Sequence, residues 1–358
     1  MKKTLKSILN YIFIDGLSGM ALGLFSTLII GTILDQIASF LPGTPGVWLH
    51  AAAMVAKSIT GAGIGVGMAF KFKSAPLVGA SAAVAGMVGA FAAKLLSGAV
   101  IDGSALTYGG PGDPLGAFLA ALSATAIGKL VSGKTKLDIL VTPAVCVCVG
   151  SAVGLLAGPP ASRFSTWMGE IIRWGTERQP ILMGIIVAVV MGICLTLPIS
   201  SAALGIILDL SGIAGGAAVV GCSAQMIGFA VASYRENKLG GLLAQGVGTS
   251  MLQMPNIVRR PQIWLPPILA SAILGPVSTR VLGMTCYASG AGMGTSGLVG
   301  QFMTYASMTD AGADPKKVLL EILLLHVIAP AALTLLFSEL MRKLGWIKEG
   351  DMKLGDLQ

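Results

Sequence analysis

Residues 181–212 read ILMGIIVAVVMGICLTLPISSAALGIILDLSG, an apolar run that carries a single charged residue, Asp209. Its 32 residues are too many for one straight transmembrane helix, because a helix spans the bilayer with about 20 apolar residues. Pro198 lies inside the run, and a proline removes one helical hydrogen bond and frees a carbonyl. The run therefore predicts a membrane-embedded helix that is broken at Pro198-Ile-Ser-Ser201.

The rest of the chain has the composition of a membrane protein. Of its 358 residues, 24 are Lys or Arg and 16 are Asp or Glu. Charged residues thus make up 11% of the chain, against about 25% in an ordinary soluble domain, and they are too few to cover a soluble surface. The apolar runs are also too long for the alternating strands of a β-barrel. The sequence predicts an all-α polytopic membrane protein with about ten transmembrane helices.

The two halves of the chain resemble each other, which indicates an internal duplication. Gly31-Thr-Ile-Leu-Asp35 matches Gly205-Ile-Ile-Leu-Asp209 at four of five positions. We expect one transmembrane domain over residues 1–358, with related halves at approximately 1–160 and 179–345. Such repeats are typical of secondary transporters, in which the substrate lies between the repeats near the bilayer midplane.

A segment of different character, residues 161–177, joins the two halves. Its apolar side chains recur at helical spacing opposite charged ones, and they are Phe164, Trp167, Met168, Ile171 and Ile172. This pattern predicts an amphipathic helix that lies in the membrane interface. Lysines near the start of the chain favour a cytoplasmic N-terminus, while the orientation of the second half is left open. The polar tail after Gly345 is expected to be loose.

Four segments are predicted to depart from regular helix: 102–113, 198–201, 246–256 and 290–297. Within a bilayer, non-helical backbone is tolerated only where it is buried in protein or lines a watery cavity. The strongest prediction is Gly290-Ala-Gly-Met-Gly-Thr-Ser-Gly297, because each glycine inside a helix costs about 1 kcal/mol relative to alanine. These glycines either line a solute site or let helices pack closely through small residues. At 198–201 the alternative is a proline kink whose free carbonyl is satisfied by its own serines.

Candidate solute-binding residues come from these breaks and from amide side chains in apolar surroundings. A buried amide needs a hydrogen-bonding partner, so each amide either bridges helices or contacts the hydroxyl groups of a solute. The candidates are Pro198, Ser200, Ser201, Gln225, Gln253, Asn256, Gly292, Gly294, Thr295, Ser296 and Gln301.

Ionisable residues within the apolar runs are few. Lys57 lies in the middle of a span, where a charge is costly, and it either forms an ion pair inside the bundle or contacts the solute. Asp35 and Asp209 lie nearer the ends of their runs, and we interpret them as solvated helix ends.

No motif in the sequence indicates catalysis. Neither His50 nor His326 has an Asp or Glu at catalytic spacing, and no Walker A, G-x-S-x-G or H-E-x-x-H motif is found. We expect no enzymatic activity, no cofactor and no bound metal. The five cysteines lie in or beside apolar runs and are interpreted as buried thiols. The net charge of +8 is spread over loops and termini, which favours contact with anionic lipid over nucleic-acid binding.

Four long motifs resemble those of a known family. They are Pro198-Ile-Ser-Ser-Ala-Ala203, Gly221-Cys-Ser-Ala-Gln-Met-Ile-Gly228, Gly248-Thr-Ser-Met-Leu-Gln-Met-Pro-Asn256 and Gly290-Ala-Gly-Met-Gly-Thr-Ser-Gly-Leu-Val-Gly-Gln301. The sequence is similar to the EIIC-like membrane proteins of the phosphotransferase system and, among them, to the branch named for the perfringolysin (toxin) regulator. The similarity covers nearly the whole chain.

The resemblance implies a multi-pass protein of the bacterial plasma membrane, an alternating-access (elevator-like) transporter of a small polar solute such as a sugar. In such a transporter a substrate-holding domain moves against a scaffold domain. Phosphorylation of the solute would need separate EIIA and EIIB proteins, because these residues leave no room for either domain. The name of the branch implies an alternative, a membrane sensor that indirectly controls toxin or virulence gene expression. The expected partners are a small polar solute, the lipid bilayer and a second copy in a homodimer, without nucleic acid.

Overall fold

The computed structural model describes residues 11–99, 101–102, 105–176 and 178–355. They form two compact units, one up to Phe164 and the other from Ser165 onward. The prediction of an all-helical, polytopic membrane protein with broken helices is confirmed. In the described ranges, six helices are long and apolar enough to cross a membrane, or seven if the bent pair Thr44–Ser58 and Thr60–Lys71 forms one span. Two shorter apolar helices add to these, and the total of about ten spans stays a prediction.

The first unit begins with one long span, Ile14–Phe40, which is α-helical except for π-helical turns at Tyr11–Gly16 and Phe25–Ile29. The remaining helices are Thr44–Ser58, Thr60–Lys71, Pro76–Ala90, Ala92–Leu96, Pro114–Val131 and Asp138–Thr176, the last of which continues past Phe164. The predicted break at 102–113 holds a ribbon of two short antiparallel strands, Ile101–Asp102 and Ala105–Leu106; residues 103 and 104 lie outside the described residues.

The second unit contains longer helices interrupted by short irregular ones. The α-helices are Pro180–Thr196, Ser201–Ile207, Gly212–Ala232, Tyr234–Leu243, Met254–Arg259, Leu265–Pro276, Ala288–Ala291, Val299–Asp310, Pro315–Leu323 and Ala329–Lys343. Turns of 3-10 helix occur at Ser250–Gln253, Pro261–Trp264 and Ser296–Leu298, and π-helical turns at Ala244–Gly248, Val277–Leu282 and Leu324–Ile328.

Close helix packing through small residues is a feature of the first unit. A side chain on Gly23 would overlap the backbone carbonyl of Gly63, so only glycine allows this approach. Without a hydrophobic driving force between helices in lipid, such close approaches supply the van der Waals contact that holds a bundle together.

Lys57 forms an ion pair inside the first unit, which is one of the two alternatives considered for it. Its Nζ lies 2.6 Å from Oδ2 of Asp35. The second oxygen of Asp35 lies 2.6 Å from Nδ1 of His50. Asp35 is therefore the centre of a three-residue polar cluster, and its side chain is only 29% exposed. The helix bends by 60° just after Lys57, between Ser58 and Thr60, a bend that the apolar pattern does not indicate.

The helix Gly212–Ala232 is the centre of the second unit. Nearly all its side chains are buried, because it packs against Pro180–Thr196, Leu265–Pro276 and Ala329–Lys343. A helix that is apolar on every face, as this one is, belongs in such a position. Its polar residues are consequently buried as well, and they contribute to the site described below.

The structure also bears on the predictions for the linking segment, residues 161–177, and for the tail after Gly345. Residues 161–176 continue the helix Asp138–Thr176, whereas residue 177 lies outside the described residues; their position in the membrane interface, and the duplication itself, stay predictions. The expectation of a loose tail after Gly345 is wrong. Ile347 and Met352 are buried, and backbone groups of the tail are hydrogen-bonded to side chains elsewhere in the unit.

Candidate functional site

The predicted break at 290–297 is the most irregular part of the second unit. The helix Ala288–Ala291 ends after one turn, and a new helix starts only at Val299. Between them Gly294, Gly297 and Leu298 have positive φ angles of 53°, 53° and 59°. A left-handed conformation suits glycine but is uncommon for leucine. The backbone therefore turns away from the helical path here, as the cluster of glycines predicts.

The break at Pro198 meets the break at 290–301. Pro198 lies in the turn between the helices Pro180–Thr196 and Ser201–Ile207, and the carbonyl of Ser200 accepts the first hydrogen bond of the second helix, from Leu204. The hydroxyl of Ser201 donates to the Gly292 carbonyl at 2.7 Å. A Cβ on Gly292 would overlap the Ser201 carbonyl, so a glycine is required at this crossing.

A third irregular segment, Ala244–Gly248, contacts the break at 290–297. The hydroxyl of Thr295 donates to the carbonyl of Gly246 at 2.5 Å, and Gly246 lies in the π-helical turn Ala244–Gly248. Gly294 packs against the central helix, where an added Cβ would lie 2.8 Å from the backbone carbonyl carbon of Cys222. The structure thus brings Ser201, of the break at 198–201, to the break at 290–297, which contains Gly292, Gly294 and Thr295. The two breaks are far apart in the sequence.

Gln225 lies on the central helix and is fully buried. Its Oε1 accepts hydrogen bonds from Nε1 of Trp264 at 2.9 Å and from the Thr196 hydroxyl at 3.3 Å. The Thr196 hydroxyl is also 2.8 Å from that of Ser250. Among the residues that the structure describes, the amide nitrogen of Gln225 has no hydrogen-bond partner, so this side chain both bridges helices and keeps a free donor.

Gln301 and Ser296 also retain unpaired polar atoms. Nε2 of Gln301 lies 3.2 Å from Nδ1 of His326 and 3.5 Å from the Ser223 hydroxyl. Its Oε1 has no partner in the part of the chain that the structure describes. The hydroxyl of Ser296 is buried and has no partner among the described residues. Buried polar atoms without a partner are rare in native structures, so these atoms are available to a further hydrogen-bonding group.

Gln253 and Asn256 are bound to the tail of the chain. Nε2 of Gln253 donates to the Met352 carbonyl at 2.9 Å, and Nδ2 of Asn256 donates to the Lys353 carbonyl at 2.9 Å. The two side chains are also joined, since Asn256 donates to Oε1 of Gln253 at 2.8 Å. These hydrogen bonds tie Gln253 and Asn256 to the tail and to each other, which is the bridging role that the sequence left open.

Reasoning from sequence missed several residues of the site. His326 was examined only as a catalytic residue, yet it is fully buried and contacts Gln301. A lone histidine in an apolar run is itself a signal, because polar residues inside a membrane span are expensive. Thr196 and Trp264, which hold Gln225, have no comparable signal, since both are common in apolar helices and at their ends.

The comparison with known families matches this architecture. The model of the family described as phosphotransferase system, EIIC matches residues 14–354. The chain belongs to the EIIC family. This EIIC chain is therefore a membrane sugar-transporter component and a multi-pass protein of the plasma membrane. EIIC domains work with separate EIIA and EIIB components and are transport domains that are not catalytic by themselves. No curated protein matches the sequence.

Proposed function

We propose that this EIIC chain binds its solute in the second unit, where the breaks at 198–201, 244–248 and 290–301 converge. The observation that supports the proposal is the pair of hydrogen bonds from Ser201 to Gly292 and from Thr295 to Gly246, which draws three interrupted helices together. Interrupted helices at membrane depth are typical of transporter sites, because their free backbone groups are available to the solute.

The chemistry of the unpaired groups favours a neutral, hydroxyl-rich solute. They comprise an amide donor on Gln225, an amide acceptor on Gln301 and the hydroxyl of Ser296. Sugar hydroxyls both donate and accept, so they can satisfy all three. The segments that carry them, 212–232 and 286–309, contain no Asp, Glu, Lys or Arg. A charged solute would have no counter-charge on these segments, and we therefore favour an uncharged sugar or a related compound.

Transport by alternating access completes the proposal. Gln225, Thr295 and Ser296 are buried, and Gln301 is partly buried, so we expect the solute to need a movement of the protein to enter and leave. Rigid-body movement around a fixed site is the common solution in transporters with broken helices, and the elevator-like form is the one that the EIIC resemblance implies. Assembly as a homodimer belongs to the same proposal.

The test is uptake of individually labelled neutral sugars and sugar alcohols into liposomes that contain the purified chain, with and without EIIA and EIIB proteins. We expect Gln225→Leu and Gln301→Leu to abolish uptake of the transported compound. Gln36→Leu is the matched control, because Gln36 hydrogen-bonds only locally, to Ser39 on an exposed surface. Equal uptake by all three variants would contradict the placement of the site.

A sensor is the second candidate function, as the resemblance to the perfringolysin regulator branch implies. The hydrogen bonds from Gln253 and Asn256 to the tail favour it, because a rearrangement of the segment 244–256 on solute binding would be transmitted to residues 352–353. Substitution of Asn237, which also holds the tail, would then alter toxin gene expression in cells while uptake stays intact. Loss of both activities together would instead favour transport alone.

A further inference from the structure

The last membrane helix carries a buried polar stripe that begins beside the proposed solute site, at His326. His326, Thr334, Ser338 and Arg342 are separated by multiples of four residues along the span Pro315–Lys343. Each step of four residues turns by about 40° around a helix, so the stripe winds across the buried side of this one. The first three are fully buried, and the side chain of Arg342 is only 11% exposed.

Each of these four side chains has a buried polar atom without a hydrogen-bond partner among the described residues. The atoms are Nε2 of His326, Oγ1 of Thr334, Oγ of Ser338 and Nε of Arg342. Polar atoms left unpaired within a membrane are costly, and in native proteins ordered water satisfies many that protein atoms do not. Four such atoms along one stripe of a single helix indicate a common partner.

The two four-residue steps of the stripe suit single water molecules, whereas the eight-residue step from His326 to Thr334 needs more than one. Residues four apart in a helix are separated by about 6 Å along the axis. One water with two hydrogen bonds of about 2.8 Å bridges almost the same distance. The longer step, from His326 to Thr334, passes Pro330, which has no N–H to donate to the His326 carbonyl. The helix is π-helical at Leu324–Ile328, a distortion that is frequent at functional sites.

The two ends of the stripe are defined by hydrogen-bonded pairs. At one end Gln301 donates its amide N–H to Nδ1 of His326. The neutral ring then carries its proton on Nε2, which is an unpaired donor. At the other end Nη2 of Arg342 lies 3.1 Å from Oε1 of Glu236, and Glu236 also accepts a hydrogen bond from the backbone N–H of the exposed Gly350.

We propose that a chain of water molecules occupies this stripe and connects the Gln301–His326 pair with the Glu236–Arg342 pair, so that His326 exchanges protons with the solvent. The neighbouring helices Gly212–Ala232 and Leu265–Pro276 contribute no Asp, Glu, Lys, Arg or His. The charged groups at the end of the route are those of Glu236 and Arg342. Glu339, next to Ser338 in the sequence, is paired with Arg235. The water chain itself does not depend on the proposed function. Only its use beside a solute site rests on that function.

Deuterium exchange at the C2 carbon of the histidine rings, followed by mass spectrometry of the full chain in lipid, tests the proposal. This exchange requires contact between the ring and water. His50 is the other histidine of the chain and is exposed, which makes it the internal reference. We expect His326 to exchange in the wild-type protein despite its burial. The double variant Thr334→Val, Ser338→Ala should lose this exchange without any change at His50.

Thr279→Val with Ser271→Ala is the matched control. Both hydroxyls are buried, but they donate to the carbonyls of Pro180 and Pro267 at 2.7 and 2.8 Å, so the control should leave exchange at His326 unchanged. Absence of exchange at His326 in the wild type would overturn the proposal, as would equal exchange in both double variants. The assay contains no solute, so its failure is distinguishable from a failure of transport.

Discussion

Substitution of Gly294 by alanine probes the packing of the 290–301 break against the central helix. Gly294 has φ of +53°, a left-handed conformation that costs a residue with a side chain about 1–2 kcal/mol. The added Cβ would also lie 2.8 Å from the carbonyl carbon of Cys222 and 3.0 Å from the nitrogen of Ser223. Overpacking of this kind typically costs a further 1–3 kcal/mol or so.

Gly283 is the matched control for this prediction. It has φ of +59°, and nothing lies within 4 Å of a Cβ placed there. Gly283→Ala should therefore show only the backbone cost, of about 1–2 kcal/mol, whereas Gly294→Ala should lose about 2–5 kcal/mol. Thermal unfolding of both variants in detergent gives the comparison. An equal loss of stability in the two variants would refute the close contact between the break and the central helix.

The two other predictions concern Asp35 and the tail. A double-mutant cycle of Asp35→Asn and Lys57→Met should give a coupling free energy of about 1 kcal/mol, since the pair is partly exposed; additive effects on thermal unfolding would show that the pair is not formed. Asn237→Ala removes hydrogen bonds to the Met352 carbonyl and from the Leu354 N–H, worth about 1–3 kcal/mol together. Amide exchange of residues 347–355 should accelerate, and unchanged protection there would contradict the role of these hydrogen bonds in holding the tail.

Local signals in the sequence predicted the helix breaks well. Pro198 and the glycines of 290–297 act on their own backbone, the first by removing a hydrogen bond and the second by allowing positive φ angles. Their effect needs no knowledge of distant residues. The bend between Ser58 and Thr60 has a weaker local signal, because no proline lies beside it and only Ser58, Thr60 and Gly61, which are poor helix formers, mark the place.

The partners of the polar side chains could not be predicted in the same way. Burial of an amide in an apolar run shows that Gln253 or Gln225 needs a partner, but the partner is set by the tertiary fold. For Gln253 it is a carbonyl of the tail, 99 residues away in sequence. For Gln225 it is Trp264, 39 residues away. The expectation of a loose tail is wrong for the same reason. The tail is polar in composition, and this composition does not indicate that Met352 is buried.

Labelling of Ser296→Cys tests most directly whether the converging breaks form the solute site. Ser296 is 3% exposed, and its hydroxyl is unpaired. We predict that a cysteine at this position reacts with a small water-soluble thiol reagent as the site opens, measured by mass spectrometry at position 296, and that the transported sugar slows the reaction. A thiol that stays unlabelled under all conditions, or whose labelling no transported sugar slows, would contradict the account.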